Sequence, residues 1–210
     1  MIWNFILYPI LGYFLGSIPT AVWVGRSWYG IDIRKHGSKN AGATNTFRVL
    51  GQKAGIVVLA IDVLKGLIAS VLPLIFMPDR LGSDMLVNVQ LITSLACVLG
   101  HVFPIFANFN GGKGVATSLG IIIGLHPPAA IIAIGIFLAV YLISSFVSLG
   151  AICAALTFPI LLHFRFHIDS LNLLIFSSLL GVAIVFAHRK NIARLLNRTE
   201  SKMPLFKKKE

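Results

Sequence analysis

The polar chemistry of this sequence is concentrated in four short segments. The first runs Gly37-Ser38-Lys39-Asn40-Ala41-Gly42-Ala43-Thr44-Asn45-Thr46-Phe47-Arg48. Glycines let a backbone approach a ligand closely and aim successive N–H groups at one anion. Ser38, Asn40, Thr44 and Asn45 add neutral donors, and Arg48 adds a planar fork matched to phosphate oxygens. The second segment begins Gly100-His101-Val102-Phe103-Pro104 and continues Phe109-Asn110-Gly111-Gly112-Lys113-Gly114-Val115-Ala116-Thr117. Glycines on both sides of one lysine, directly before an apolar run, predict an anion site. Backbone N–H groups, a helix N-terminus and a point charge would converge there. A Walker-type nucleotide loop is excluded, because Ala107 and Gly114 stand where it requires glycine and Ser/Thr.

The third segment is Ser144-Ser145-Phe146-Val147-Ser148-Leu149. The fourth is His188-Arg189-Lys190-Asn191-Ile192-Ala193-Arg194-Leu195, with Glu200 shortly after it. Taken singly, serines in apolar helices often bond back to the helix, and basic residues at a helix end often snorkel. Together the four segments offer cations and neutral donors with few acids, which suits the binding of more than one phosphate. Carboxylates able to hold magnesium are scarce. Cys97 and Cys153 lie in apolar runs without metal-ligand spacing, so no metal site is expected.

The elements that must position these segments are apolar helices. The chain has 210 residues, 57% of them hydrophobic and 12% charged, with a mean hydropathy of +0.88. Soluble domains carry about 25% charged residues, so a soluble fold is excluded and one all-α integral membrane domain over residues 1–210 is expected. A span needs roughly 20 mostly apolar residues. Candidates are Trp3–Val24, Ala54–Phe76, Leu86–Phe106, Pro128–Ile143, Val147–His163 and Leu171–Ala187, with a short one at Ala116–Leu125. Trp3–Val24 has no basic stretch before it and no cleavage site after it, so it reads as a retained span. Asp62 and Lys65, three residues apart in the second span, are expected to neutralise each other.

The loops set the orientation. Residues 25–53 hold Arg26, Arg34, Lys35, Lys39, Arg48 and Lys53 against Asp32. The tail, 188–210, holds Arg189, Lys190, Arg194, Arg198, Lys202, Lys207, Lys208 and Lys209 against Glu200 and Glu210. The positive-inside rule places both in the cytoplasm. Both can lie there only if an even number of spans separates them, which requires the short segment to cross. The expectation is therefore seven transmembrane helices, the fourth short, with the N-terminus outside and the C-terminus cytoplasmic. The net charge of +11 then belongs to membrane-facing loops and not to a nucleic-acid surface. The terminal lysines are expected to contact anionic lipid.

These segments, in this order, resemble the bacterial acyl-phosphate:glycerol-3-phosphate acyltransferases, the PlsY family. The resemblance runs nearly end to end. It includes Gly16-Ser17-Ile18-Pro19, Asp32-Ile33-Arg34, Gly37-Ser38 through Arg48 and Asp62-Val63-Leu64-Lys65-Gly66. It continues through Gly100-His101-Val102-Phe103-Pro104, Gly111 through Thr117, Val147-Ser148-Leu149 and His188 through Leu195 with Glu200. It implies seven membrane helices with a cytoplasm-facing site, in an enzyme of the bacterial inner membrane. That enzyme transfers a fatty acyl group from acyl phosphate to glycerol 3-phosphate, giving lysophosphatidate and phosphate without a cofactor. Lys113, Ser38, Arg48, His188 and Asn191 match the catalytic positions. Substrate contacts are expected at Gly37, Asn40, Thr44, Asn45, His101, Gly111, Gly112, Gly114, Ser148, Arg189 and Glu200. Either His188 or an oxygen of the acyl phosphate would accept the proton.

Three positions depart from the family pattern. Lys39 and Arg198 stand where glycine is common, and Ser145 where a basic residue is frequent. The H-x4-D signature of other glycerolipid acyltransferases is absent, since Ala41, Phe106, Ile131, Ile168, Asn172 and Ala193 follow the histidines at that spacing. The competing functional class is a transporter of phosphate esters or anions. The absence of an inverted repeat and the placement of the polar motifs on one side speak against it.

Overall fold

A computed structural model of the chain describes residues 2–80 and 83–203. The terminal lysines Lys207, Lys208 and Lys209 lie outside the described residues. Among those residues the fold is entirely helical. It divides into two compact units, Met1–Pro127 and Pro128–Glu210.

The first unit begins with α1 (Asn4–Gly16) and α2 (Thr20–Tyr29), which together form one 26-residue apolar stretch. The expected first span is therefore present, as two helices in one candidate span. Pro19 has no N–H to donate and disfavours helix at Ile18, so the ladder breaks over Ser17-Ile18-Pro19. A short α3 (Ala43–Leu50) precedes the long α4 (Gln52–Phe76) and α5 (Asp84–Val102). The 11-residue α6 (Val115–Leu125) closes the unit.

Two helix pairs here pack backbone to backbone. On α1 and α5, a Cβ at Gly16 would collide with the Cys97 carbonyl, and one at Gly100 with the Tyr13 carbonyl. On α4 and α6, Gly66 meets the Thr117 carbonyl and Gly120 the Val63 carbonyl in the same way. Water is absent from hydrocarbon, so apolar burial cannot drive these helices together, and close approach of small residues is what remains. The α4–α6 contact fixes the start of α6, and with it the Gly111–Gly114 loop.

The second unit comprises α7 (Pro127–Ser144), α8 (Val147–Ile160), α9 (Leu171–Ala187) and α10 (Arg189–Leu196). Beyond Pro159, α8 widens into a π-turn over Leu161–Arg165. The axis bends by 58° between α9 and α10. Tyr141 donates to the Met203 carbonyl at 2.6 Å, and the Met203 amide donates to the Ser145 carbonyl at 2.9 Å. These two bonds hold the tail at Met203 against the α7–α8 turn.

Among the described residues, five helical stretches are long and apolar enough to cross a bilayer, or six if α9 and α10 count as one bent span. Helix α6 is apolar but shorter. The expected spans thus appear as helices.

Candidate functional site

In the first unit the Gly37–Arg48 segment is organised by one amide. Asn45, 1% exposed, accepts from the Ser38 amide at 2.8 Å. Its side-chain nitrogen faces the carbonyls of Ile33 at 3.2 Å, His36 at 3.0 Å and Asn40 at 3.1 Å. The side-chain amide of Asn45 is thereby directed at its own loop, which it shapes. The loop it shapes leaves Gly37 and Ser38 exposed, Asn40 and Thr44 half-buried, and Arg48 exposed on α3. Among the described residues no carboxylate pairs with Arg48.

A second device, not singled out for function from the sequence, ties this segment to the next. Asp32 accepts from Arg34 at 2.7 and 3.0 Å and from Arg26 at 2.8 Å. The Arg34 guanidinium also donates to the Ala107 carbonyl at 2.9 Å, which leads into the Gly111–Gly114 loop. The hydrogen bonds from Arg34 hold the Asp32 carboxyl well below the ordinary carboxylate range, against the opposing effect of burial. The Asp-x-Arg spacing was visible, but its partner is a backbone carbonyl far along the chain, which no side-chain pattern records.

The Gly111–Gly114 loop departs from the expected anion cradle in one respect. The amides of Gly111 and Gly112 donate to the carbonyls of Val102 and His101, each at 3.1 Å. They are therefore structural bonds and not anion donors. Both glycines are required by close approach, because a Cβ on Gly111 would strike the His101 carbonyl and one on Gly112 the His101 ring. Gly114 takes φ +82°, a left-handed conformation, as the residue preceding α6. The N–H groups of the first turn of α6, which begins at Val115, have no carbonyl within the helix to bond. The half-buried Lys113 sits two residues before that turn. The anion-binding potential thus lies in Lys113 and the α6 terminus.

In the second unit a buried carboxylate gathers the polar residues. Glu200 accepts from Ser148 at 2.8 Å, from the Asn191 amide at 2.6 Å and from Arg194 at 2.6 Å. Burial would push the Glu200 pKa up, but these bonds outweigh it and hold the carboxyl below its usual range. Glu200, expected as a substrate contact, has its oxygens committed to three side chains of its own unit and acts as their anchor. Nδ1 of the buried His188 lies 2.8 Å from the Ile184 carbonyl. Since a carbonyl only accepts, Nδ1 carries the proton, and the lone pair of the neutral ring is on Nε2. Arg189 is exposed, with its guanidinium 4.6 Å from the centre of the Phe186 ring.

Helices able to cross a bilayer, with cations, amides and glycines gathered at their joints, define an integral membrane protein with polar interhelical loops. The family model for glycerol-3-phosphate acyltransferase matches residues 6–198, and the chain belongs to that family. It is 43% identical to the glycerol-3-phosphate acyltransferase of Chlorobaculum tepidum over 98% of this chain and 99% of that one. It is 44% identical to the enzyme of the same name from Salinibacter ruber, covering 97% and 94% of the two chains. Its fold is similar to crystal structures of PlsY (YgiH), an integral membrane glycerol 3-phosphate acyltransferase. The glycerol 3-phosphate form aligns with a TM-score of 0.84 at 36% identity over 95% of each chain. The lysophosphatidic acid form aligns with a TM-score of 0.82 at 35% identity, again over 95% of each.

The three departures from the family pattern share a backbone feature. Lys39, Ser145 and Arg198 have φ of +60°, +62° and +58°. A side chain in that region costs about 1–2 kcal/mol, which explains why glycine suits positions 39 and 198. Lys39→Gly and Arg198→Gly are each expected to raise stability by up to about 1 kcal/mol, net of glycine's larger unfolded entropy. Thermal unfolding in detergent measures it, and a loss of stability in both would contradict the strain.

The Glu200 cluster predicts a pH signature. Its folded pKa is depressed from the ordinary 4.5, so its stabilisation is complete above that value and is lost as pH falls through the depressed one. Comparing melting of wild type and Glu200→Gln from about pH 6 to about pH 3 should show a constant gap that closes on the acid side. A gap independent of pH would remove the charge from the explanation.

Proposed function

We propose that this chain transfers a fatty acyl group from acyl phosphate to glycerol 3-phosphate, releasing lysophosphatidate and phosphate, the first acylation of phospholipid synthesis. The observation that carries this reading is the family match over residues 6–198, which spans both units and supports their treatment as one functional domain. The relatives carry the acceptor in their name, and PlsY is known in forms with glycerol 3-phosphate and with lysophosphatidic acid. A transporter is not favoured by these findings.

The donor is already activated, so the reaction needs a place for phosphate more than it needs a strong base. The glycerol hydroxyl attacks the acyl carbonyl, the C–O bond to phosphate breaks, and negative charge builds on the carbonyl oxygen and the leaving group. Lys113 and the first turn of α6 offset that charge, the kind of preorganised interaction that usually dominates catalysis. Arg48 holds a phosphate that stays intact, with Ser38, Asn40 and Thr44 as neutral donors. In the second unit, Ser148, Asn191 and Nε2 of His188 contact substrate, and Glu200 fixes the first two. The hydroxyl proton passes to an oxygen of the acyl phosphate, for which a weak base suffices.

Seven spans, the fourth being α6, place the N-terminus outside and the basic tail in the cytoplasm of a bacterial inner membrane. The basic residues of 25–53 and of the tail support this orientation. The acyl chain then enters from lipid and glycerol 3-phosphate from the cytosol. Single cysteines replacing Lys53 and Lys202 should react only with reagents that enter the cytoplasm, and one replacing Asp79 with impermeant reagents from outside. Labelling at position 202 from outside would reverse the topology.

Lys113 and Arg48 separate kinetically. Lys113→Ala should lower turnover by about 10²–10³-fold, as loss of one oxyanion donor does elsewhere. Arg48→Lys keeps the charge and loses the fork, and should mainly raise KM for glycerol 3-phosphate. Steady-state kinetics on folded, purified variants measure both, and ordinary turnover in Lys113→Ala would reject the role given to this loop.

A further inference from the structure

The buried charges of α4 lie beneath the Gly111–Gly114 loop and connect to it. Asp62 and Lys65 are 1% and 3% exposed, and their charged atoms are 2.9 Å apart. Asp62 Oδ1 also accepts from the Thr20 hydroxyl at 3.1 Å and lies 3.8 Å from Nδ1 of His101. The Lys65 ammonium donates to the Ile18 carbonyl at 3.1 Å, at the break before Pro19. His101 then reaches the loop twice. Its carbonyl accepts the Gly112 amide at 3.1 Å, and its Nε2 edge fills the place a Cβ on Gly112 would need. The buried side chains Asp62 and His101 thus form a continuous path from a charge pair to the residue before Lys113.

Mutual neutralisation would require only that the two charges touch. It would not require Asp62 to face a third group, nor that group to bear on a glycine. We infer that Asp62 and Lys65 are positioning residues: Lys65 fixes the Asp62 carboxylate, the carboxylate backs the His101 ring at 3.8 Å, and the ring sets the height of Gly112 and so the placement of Lys113. The inference rests on the catalytic reading of Lys113 given above. It assigns the pair a task in the reaction, whereas charge balance alone would leave turnover untouched.

Asp62→Asn by itself strands a lysine charge in an apolar interior, which can prevent folding. The informative variant is Asp62→Asn with Lys65→Met, which removes both charges together. His101→Asn, which keeps both charges and withdraws the ring, carries the same test by another route. In protein whose folding is verified by thermal unfolding, each should lower turnover by about tenfold or more with KM for glycerol 3-phosphate changed by less than about twofold. Introduced into Lys113→Ala, the same changes should lower turnover by less than about twofold further, because residues acting through one group are not additive.

Wild-type turnover in folded protein of both variants would overturn the inference and leave neutralisation as the whole role. An equal fall in the presence and absence of Lys113 would also overturn it, since the effect would then bypass the loop. Ordinary turnover in Lys113→Ala alone rejects instead the reading of the loop on which the inference depends.

Discussion

A lysine inside an apolar helix must find its acceptors within the protein, because lipid offers none. Lys65 finds two, the Asp62 carboxylate and the Ile18 carbonyl. The second exists because Pro19 interrupts the first span and leaves backbone groups unbonded. The charge therefore depends on the break: the Ile18 carbonyl accepts the Thr20 amide at 3.0 Å as well as the ammonium, and without the interruption Lys65 would have one partner fewer. The neighbouring Gly66 lets α6 approach until its backbone touches α4, so the same turn of α4 sets both the charge pair and the helix that begins after Lys113.

The loops obey the same rule at the surface of the bundle. Asn45 directs its amide into its own loop, and Gly111 and Gly112 give their amides to the carbonyls that precede them. Arg34 reaches the Ala107 carbonyl. A loop held by such bonds keeps its shape before a ligand arrives, so the ordering cost of binding is reduced. The groups available for ligand are then a smaller set than the polar residues in the sequence. Ser38 and Arg48 are exposed, and the α6 terminus presents its first N–H groups.

Much of this was legible from residue types alone. The apolar runs marked the helices from α4 to α9, and the glycine and amide content of residues 37–48 and 111–114 marked the loops. Two things were not. Side-chain identity does not reveal which partner within the protein a polar group will choose, so the bonds that Asn45 and the Gly111–Gly112 amides give to backbone carbonyls, and those that Glu200 accepts from side chains, were not visible. A hydropathy pattern also registers apolar content and not hydrogen bonding, so it marked the first span but not the break at Pro19 within it. The departures at Lys39 and Arg198 were visible as exceptions to a pattern. Their cause, a left-handed backbone, is a property of φ and appears only in three dimensions.

The distribution of carboxylates gives the fold its electrical character. Of the seven acids in the chain, Asp32, Asp62 and Glu200 are each bound to cations whose work is structural: Arg26 and Arg34, Lys65, and Arg194. Asp79, Asp84 and Asp169 fall in or beside the segments proposed to lie on the opposite side of the membrane, and Glu210 is outside the described residues. Among the described residues no acid pairs with Arg48, so none of these competes for it. A protein that must attract two phosphates gains from this partition, because a carboxylate not already bound by donors, as Glu200 is by Ser148, Asn191 and Arg194, would repel the substrate and hold the cation in its place. The few acids are located where they fix geometry, and the positive field of the loops is what remains once those pairs are formed.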